Sequence, residues 1–358
     1  MTVHDRTRLT GPLIFLLFTG GFGCRTGTVL FFPNTIKGIN EMNRWGIIGC
    51  GRIAGRMAEL LTDMPDVRIT AAAARDISRA AAFAEKWGIP KAYGSYAELA
   101  ADPEVDMVYA ATIHPTHKEA VQQCLLAGKA VLCEKPMTMT AQEARELFSL
   151  AEGKKILLME AMWTRFLPVW REVRERVNRG DIGAVRYMRA DFSDFMPFDP
   201  DSRIYDPAKG GGALLDIGVY ALQMILYILG KDCRLLSVSG HRAPTGVDDF
   251  AAVLLESAEG IAATATCASG LAGDKKACIY GVNGWIEIPQ MMGASTYTLH
   301  LNGQRPQEIV CPYDHGFRGE VEEFHRLYKE GRIHSEIHSP EDTIRGMELI
   351  EQAMAAIH

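Results

Sequence analysis

No two cysteines of this chain stand in a C-x-x-C, and none shares a metal-ligand spacing with a histidine. The eight are scattered as Cys24, Cys50, Cys124, Cys133, Cys233, Cys267, Cys278 and Cys311. That argues against a zinc site and against a disulfide framework, and it fits isolated thiols in a reducing, cytoplasmic compartment. Long basic runs are missing too, and the net charge is −6, so no nucleic-acid partner is expected. Beyond residue 43 no stretch reads as long and apolar enough to span a bilayer, which speaks against a membrane role. Repeats and low-complexity tracts are absent. What remains is 358 residues with 47% hydrophobic and 23% charged content, enough for two soluble domains.

Residues 1–42 stand apart. Arg6 and Arg8 precede the apolar run 12–18 and a group of small residues ending at Cys24, the outline of a secretory signal. The run is short, the arginines are not adjacent, and Met42 directly precedes the first strand. An extension upstream of the folded core is therefore expected in preference to an export signal.

The rest is organised around Arg44–Leu61, RWGIIGCGRIAGRMAELL. A strand-length apolar run meets a helical pattern through Gly49-x-Gly51-x-x-Ala54. The first glycine supplies a backbone angle that other residues resist, and the second lets main chain approach a pyrophosphate. The small third residue lets helix and strand pack closely. Helix N–H groups at Arg52, Ile53 and Ala54 would then face the phosphates. Apolar runs at 67–74, 107–112, 130–133 and 156–159 alternate with amphipathic helices, two of them opened by Ser95-x-x-Glu98 and Thr140-x-x-Glu143. This predicts a doubly wound parallel sheet over residues 43–163. From 185 onward, period-two alternation and the turns Asn283-Gly284 and Asn302-Gly303 predict an α+β domain over 164–338. Its sheet is largely antiparallel with one open face, and helices run over 213–229 and 320–329. A last helix, capped at Ser339, runs through 339–358 and is expected to return to the first domain.

Several residues carry chemistry. Arg75 ends the second strand, where a dinucleotide domain meets the adenosine ribose, and Arg79 follows four residues on. Two guanidiniums there favour the 2′-phosphate of NADP. Asp76 could instead hold the 2′-hydroxyl of NAD, or both arginines could simply be solvated. Two strand ends at the ligand-binding edge are polar. One leads through Thr112 into His114 and His117, and the other into Glu134-Lys135-Pro136. The histidines read as cofactor- or substrate-facing donors or as plain loop residues, since no third ligand makes a metal site. Lys135 is either solvent-facing or aimed into the crevice. In the second half, Gly210-Gly211-Gly212 precedes an apolar helix broken by Asp216, Tyr220, Gln223 and Tyr227 along one face. Either Asp216 and Tyr220 form a structural pair, or Tyr220 is the acid/base of hydride transfer with Lys135 lowering its pKa toward neutrality.

GCGRIA, the Glu134–Pro136 triplet, Arg165-Phe166-x-Pro168 and GGGALLDIGVY (residues 210–220) together resemble the Gfo/Idh/MocA oxidoreductases over residues 44–358. Most of that family has His at the position of Tyr220 and Asp at that of Gln223. The tyrosine form resembles the branch of dihydrodiol and NADP-dependent D-xylose dehydrogenases. The resemblance implies NADP, with NAD possible, held at 49–54 and by Arg75 and Arg79, with Thr112, His114, His117, Glu134, Lys135, Pro136, Trp163 and Arg165 also on the cofactor side. It implies catalysis by Lys135 and Tyr220 with Asp216 in support. His117, Trp163, Arg186, Phe192 and Tyr220 would line the substrate side, and a homodimer would pack through the open sheet face. The alternatives are a dinucleotide sensor without catalysis, or a lyase or glycosidase that oxidises its substrate transiently.

Overall fold

The computed structural model describes residues 42–357; the N-terminal segment discussed above lies outside them. The first half runs β1 (Asn43–Ile48), α1 (Arg52–Asp63), β2 (Val67–Ala73), α2 (Ile77–Trp87), β3 (Lys91–Tyr93), α3 (Tyr96–Ala101), β4 (Met107–Ala110), α4 (His117–Leu126), β5 (Ala130–Glu134), α5 (Ala141–Lys154), β6 (Leu158–Ala161). The strands are parallel in the order β3-β2-β1-β4-β5-β6. Their apolar runs are continuous because both faces are covered. Trp45, Met57, Leu61 and Phe83 lie on one side and Val108, Val121, Val131 and Leu147 on the other. The caps form as the sequence requires: Ser95 and Thr140 side chains accept from the Glu98 and Glu143 amides at 3.3 and 3.2 Å. Strand order reverses between β1 and β4, which opens a crevice at their carboxyl ends.

The second half runs α6 (Pro168–Arg179), β7 (Val185–Ser193), α7 (Val219–Leu229), β8 (Arg234–Arg242), β9 (Asp248–Glu256), β10 (Ala262–Ala268), β11 (Ala277–Gly281), β12 (Gly284–Ile288), β13 (Thr296–Leu301), β14 (Gln307–Val310), α8 (Arg318–Glu330), α9 (Pro340–Ala356). The sheet order is β14-β13-β12-β11-β7-β10-β9-β8, antiparallel except where β7 meets β10. One face packs on α7, whose residues from Val219 to Ile228 are all buried. By length and composition 207–229 could cross a membrane, contrary to expectation. It is instead the core helix of the second half, with 94% of its most apolar window buried.

Three elements escaped the sequence reading. Strand β3 is three residues long and half-buried, and β14 is mostly exposed, so neither shows an apolar run. Helix α6 was hidden by its six charged residues, although Pro168 at its start and Gly180 (φ 78°) past its end mark both limits. Residues 214–218 also form a π turn where an uninterrupted α-helix was expected. Helix α8, expected with the second sheet, packs on the first one: the Phe324 ring lies 5.3 Å from Trp45, whose indole N–H donates to His325 at 2.9 Å. Helix α9 touches α5 of the first half and also α7 and β8 of the second.

Candidate active site

The glycine turn adopts the geometry its sequence implies. Gly49 has φ +90°, and a Cβ there would collide with the Ala111 carbonyl at the end of β4. Gly51 caps α1 without a side-chain bond, no acidic residue occupies the first turn, and an added Cβ would meet nothing within 4 Å. The first-turn amides at Arg52–Ala54 lack an intrahelical acceptor, and the space beside Gly51 is open at the switch point, the place for a pyrophosphate. Ala54 is fully buried, Ile53 half-buried and Arg52 exposed. Asp76 is occupied in capping α2: its carboxylate accepts from the Ser78 amide (2.9 Å) and hydroxyl (2.7 Å). That leaves Arg75 and Arg79, both exposed and with no ion pair among the described residues, as the groups free to meet a ribose phosphate.

The two polar strand ends differ in role. Thr112 is half-buried beside the glycine turn. His117 is fully buried, with Nδ1 2.9 Å from the Pro136 carbonyl and Nε2 3.0 Å from the Thr112 carbonyl. It ties the loops after β4 and β5 together through both ring nitrogens. His114 also turns inward, Nδ1 lying 2.9 Å from the Gly210 carbonyl, and burial with Lys135 nearby pushes its pKa down to about 3. Glu134 accepts from the Tyr109 hydroxyl, and the Lys135–Pro136 peptide is cis.

From the other half, the three glycines let the loop and helix close on these strands. A Cβ at Gly210 would lie 2.9 Å from His114 Cβ, and one at Gly212 (φ +119°) would lie 2.6 Å from Asp248 Oδ1. Asp248 Oδ2 in turn accepts from the Leu214 amide at 2.7 Å, fixing the helix start. The polar stripe then divides. Gln223 is tied to Arg165 and the Asp342 carbonyl and Tyr227 lies under the Arg165 and Arg174 guanidiniums, while Asp216 and Tyr220 meet Lys135. Lys135 Nζ donates to the Asp216 carbonyl (2.6 Å), lies 3.4 Å from Oδ1, and sits 4.7 Å above the centre of the Tyr220 ring. Burial opposes the charge of Asp216, but Lys135 and Arg203 outweigh it and hold the carboxylate well below its usual range. The Trp163 indole N–H donates to the Tyr220 hydroxyl at 3.2 Å, and Phe192 packs edge-on against the same ring at 5.9 Å.

Three comparisons with known proteins bear on this geometry. The family model described as "Oxidoreductase family, NAD-binding Rossmann fold" matches residues 43–162, and the GFO/IDH/MocA C-terminal domain model matches 170–287. The chain belongs to the Gfo/Idh/MocA oxidoreductase family. Among curated relatives, the trans-1,2-dihydrobenzene-1,2-diol dehydrogenase of Mus musculus is 42% identical, over 74% of this chain and 79% of its own. That of Homo sapiens is 43% identical, over 68% and 74%. Among solved structures, KijD10, a 3-ketoreductase from Actinomadura kijaniata in complex with NADP and TDP-benzene, superposes with TM-score 0.81 at 28% identity. It covers 89% of this chain and 98% of that one.

Within this Gfo/Idh/MocA fold three sequence-predicted residues fall away from the cleft. Arg165 is 1% exposed and spends its guanidinium on Gln223 Oε1 (2.6 Å) and Asp342 (3.1 Å), a buried tie between α7 and α9. Arg186 is exposed and six strand positions from Phe192, about 20 Å along the strand. His117 is the clamp described above. Tyr220 also departs from expectation in its proton affinity: burial and the Glu134 carboxylate push it well above the free phenol, outweighing any help from a nearby ammonium. Arg203 was missed. Its Nη2 lies 3.0 Å from both Asp216 oxygens, yet it sits in an irregular loop where no periodicity marks it. Among the described residues no cluster of His, Cys, Asp or Glu could hold a metal.

Proposed function

We propose that the chain is an NADP-dependent oxidoreductase moving hydride to or from a hydroxyl-bearing carbon of a cyclic substrate, a trans-dihydrodiol or an aldose such as D-xylose. The observation that carries this reading is the meeting of Lys135 and Tyr220, from opposite halves of the chain, just past the carboxyl end of β5. The name shared by the curated relatives supports the diol, and the NADP complexes of KijD10 support the cofactor. Residues 49–54 would hold the pyrophosphate, Arg75 and Arg79 the 2′-phosphate, and Thr112, Glu134 and Trp163 the nicotinamide side. When bound, the dinucleotide supplies or accepts the hydride.

The protein's own part is the proton. Tyr220, kept as a phenol by burial, donates its proton to a substrate carbonyl oxygen in reduction; in oxidation the phenolate, formed after loss of that proton, takes the proton of the alcohol. The negative charge that develops on its oxygen is met by the Trp163 N–H, and the Lys135 ammonium lies over the ring. Asp216, itself held by Arg203, fixes where that ammonium sits. We also place the homodimer contact on the open face of the second sheet. Tyr187, Tyr280, Trp285 and His300 stack there across four strands at 5.6, 5.7 and 3.7 Å, a surface suited to burial against a second copy. Seven free cysteines among the described residues support a cytoplasmic location.

A panel of trans-dihydrodiols and aldoses, assayed in parallel with NADP and NAD, tests the reading. Turnover with NADP and much weaker turnover with NAD is expected. A preference for NAD would refute the role of Arg75 and Arg79. Tight dinucleotide binding without turnover on any member of the panel would favour the sensor.

A further inference from the structure

The residues that open α9 are tied to both halves of the chain. On one side they meet Glu160 of β6, whose carboxylate is sealed in at 2% exposure. Glu160 Oε2 lies 2.7 Å from His338 Nε2 and accepts from the Thr343 hydroxyl at 3.0 Å, while Oε1 accepts from the Met137 amide at 2.8 Å. A carboxylate only accepts, so His338 donates through Nε2. Burial opposes the charge of Glu160, but the bonds from His338, Met137 and Thr343 outweigh it and hold the carboxyl below its ordinary range. The side chain adds nothing to the first sheet, because β6 already pairs with β5 through its main chain, Glu160 opposite Cys133. On the other side, the Asp342 carbonyl accepts from Gln223 Nε2 at 2.9 Å, and a Cβ on Gly346 would collide with that same amide, so α9 packs closely on α7. Met137 stands two residues past Lys135, and Gln223 three residues past Tyr220 on α7.

We propose that Glu160 is a positioning residue for Lys135: joined to the start of α9, it pins the backbone that follows the lysine against α7 and so sets where the ammonium stands over the Tyr220 ring. This rests on the reading of Lys135 and Tyr220 as the reacting pair. The chain of contacts is continuous. It runs from the Met137 amide through the Glu160 carboxylate to His338 and Thr343, and from Asp342 through Gln223 to the helix that carries Tyr220. Lys135 and Tyr220 come from separate halves, so their 4.7 Å separation is only as well defined as the joint between those halves. A buried carboxylate bonded to both is a stiff joint, since each of its bonds is charge-assisted and shielded from water. Glu160 itself touches neither reacting group.

The test compares wild type with Glu160→Met, which keeps the length of the side chain and removes its acceptors, and with Glu160→Gln, which keeps an oxygen for the Met137 amide. Acetic anhydride labelling of the whole protein, read residue by residue by mass spectrometry, follows Lys135, whose side chain is 11% exposed. Lys135 should label several-fold faster in Glu160→Met and nearly as in wild type in Glu160→Gln. Lys129, just before β5 begins and bonded to the Asp102 and Val105 carbonyls at 2.7 Å, should not change in either. With the best substrate of the panel, kcat should fall roughly 10-fold or more in Glu160→Met while the KM for NADP stays unchanged. That loss should not add to the loss in Lys135→Met when the two are combined, because both act through one ammonium. Unchanged Lys135 labelling, a rise shared by Lys129, a Gln variant as impaired as Met, or full additivity would overturn the proposal. If Glu160→Met does not fold, His338→Leu, which strips the α9 side and leaves Glu160 in place, is read by the same two measurements with the same outcomes required. The labelling needs no turnover, so a wild type inactive on every substrate would overturn the function while the placement of Lys135 is still read.

Discussion

Replacing Asp216 with Asn keeps the side chain's shape and removes the one charge that two cations share. Arg203 Nη2 lies 3.0 Å and Lys135 Nζ 3.4 Å from Oδ1, with side-chain exposures of 37% and 11% for the two cations and 10% for Asp216. The attraction between unit charges at 3.4 Å is about 5 kcal/mol at an effective dielectric of 20, much of it offset by desolvation. Arg203 is more than a third exposed, so solvent screens its share and it can swing outward. Lys135 has no such escape. The loss is therefore set by an ammonium left buried without its anion, and breaking such pairs costs about 3–5 kcal/mol. The bond from Lys135 to the Asp216 carbonyl (2.6 Å) survives the change, which puts the expected destabilisation near the lower end, about 3 kcal/mol. Urea unfolding at neutral pH should show it as a lower midpoint at an unchanged slope. Arg203→Met, by contrast, should cost about 1 kcal/mol or less. An Asp216→Asn protein as stable as wild type to within about 1 kcal/mol would refute this reasoning.

Arg75→Ala and Arg79→Ala should each raise the KM for NADP about tenfold or more, the worth of a hydrogen bond to a charged group, and leave that for NAD unchanged; parallel titrations check this. Stability should drain on acidification. His114 and His325 are held by burial to about 3 and about 4, below the free side chain, so the unfolded chain alone takes up those protons in between. The stabilisation is complete above about pH 6.5 and is lost as pH falls toward those values. Glutamine at residue 114 should flatten the slope of unfolding free energy between neutral and mildly acid pH. Gly49→Ala, forced into φ +90° against the Ala111 carbonyl, should lower Tm and abolish dinucleotide binding measured by calorimetry.

Much of the fold was legible because its strands are buried on both faces, so runs such as 107–110 and 130–133 stand out from helices capped by Ser95, Thr140 and Ser339. The glycine turn and the Lys135–Tyr220 pairing were legible for a related reason. Polar groups placed at the end of a buried strand or on a buried helix need partners, and here they find each other. What stayed hidden depended on direction. Arg165 and His117 sit in motifs that look like site motifs, but their side chains turn into the interior. Arg203 and Glu320 carry ordinary surface-type side chains. Only packing reveals that one grips Asp216 and the other is sealed away without a hydrogen-bond partner among the described residues.

The central claim is that the phenol of residue 220 carries the proton during hydride transfer. Steady-state nicotinamide absorbance of wild type, Tyr220→Phe and Lys135→Met, with NADP and the best substrate of the panel, tests it directly. Loss of kcat by about 10²-fold or more in Tyr220→Phe, with dinucleotide binding intact, is the expected result. Turnover that survives both substitutions would contradict it.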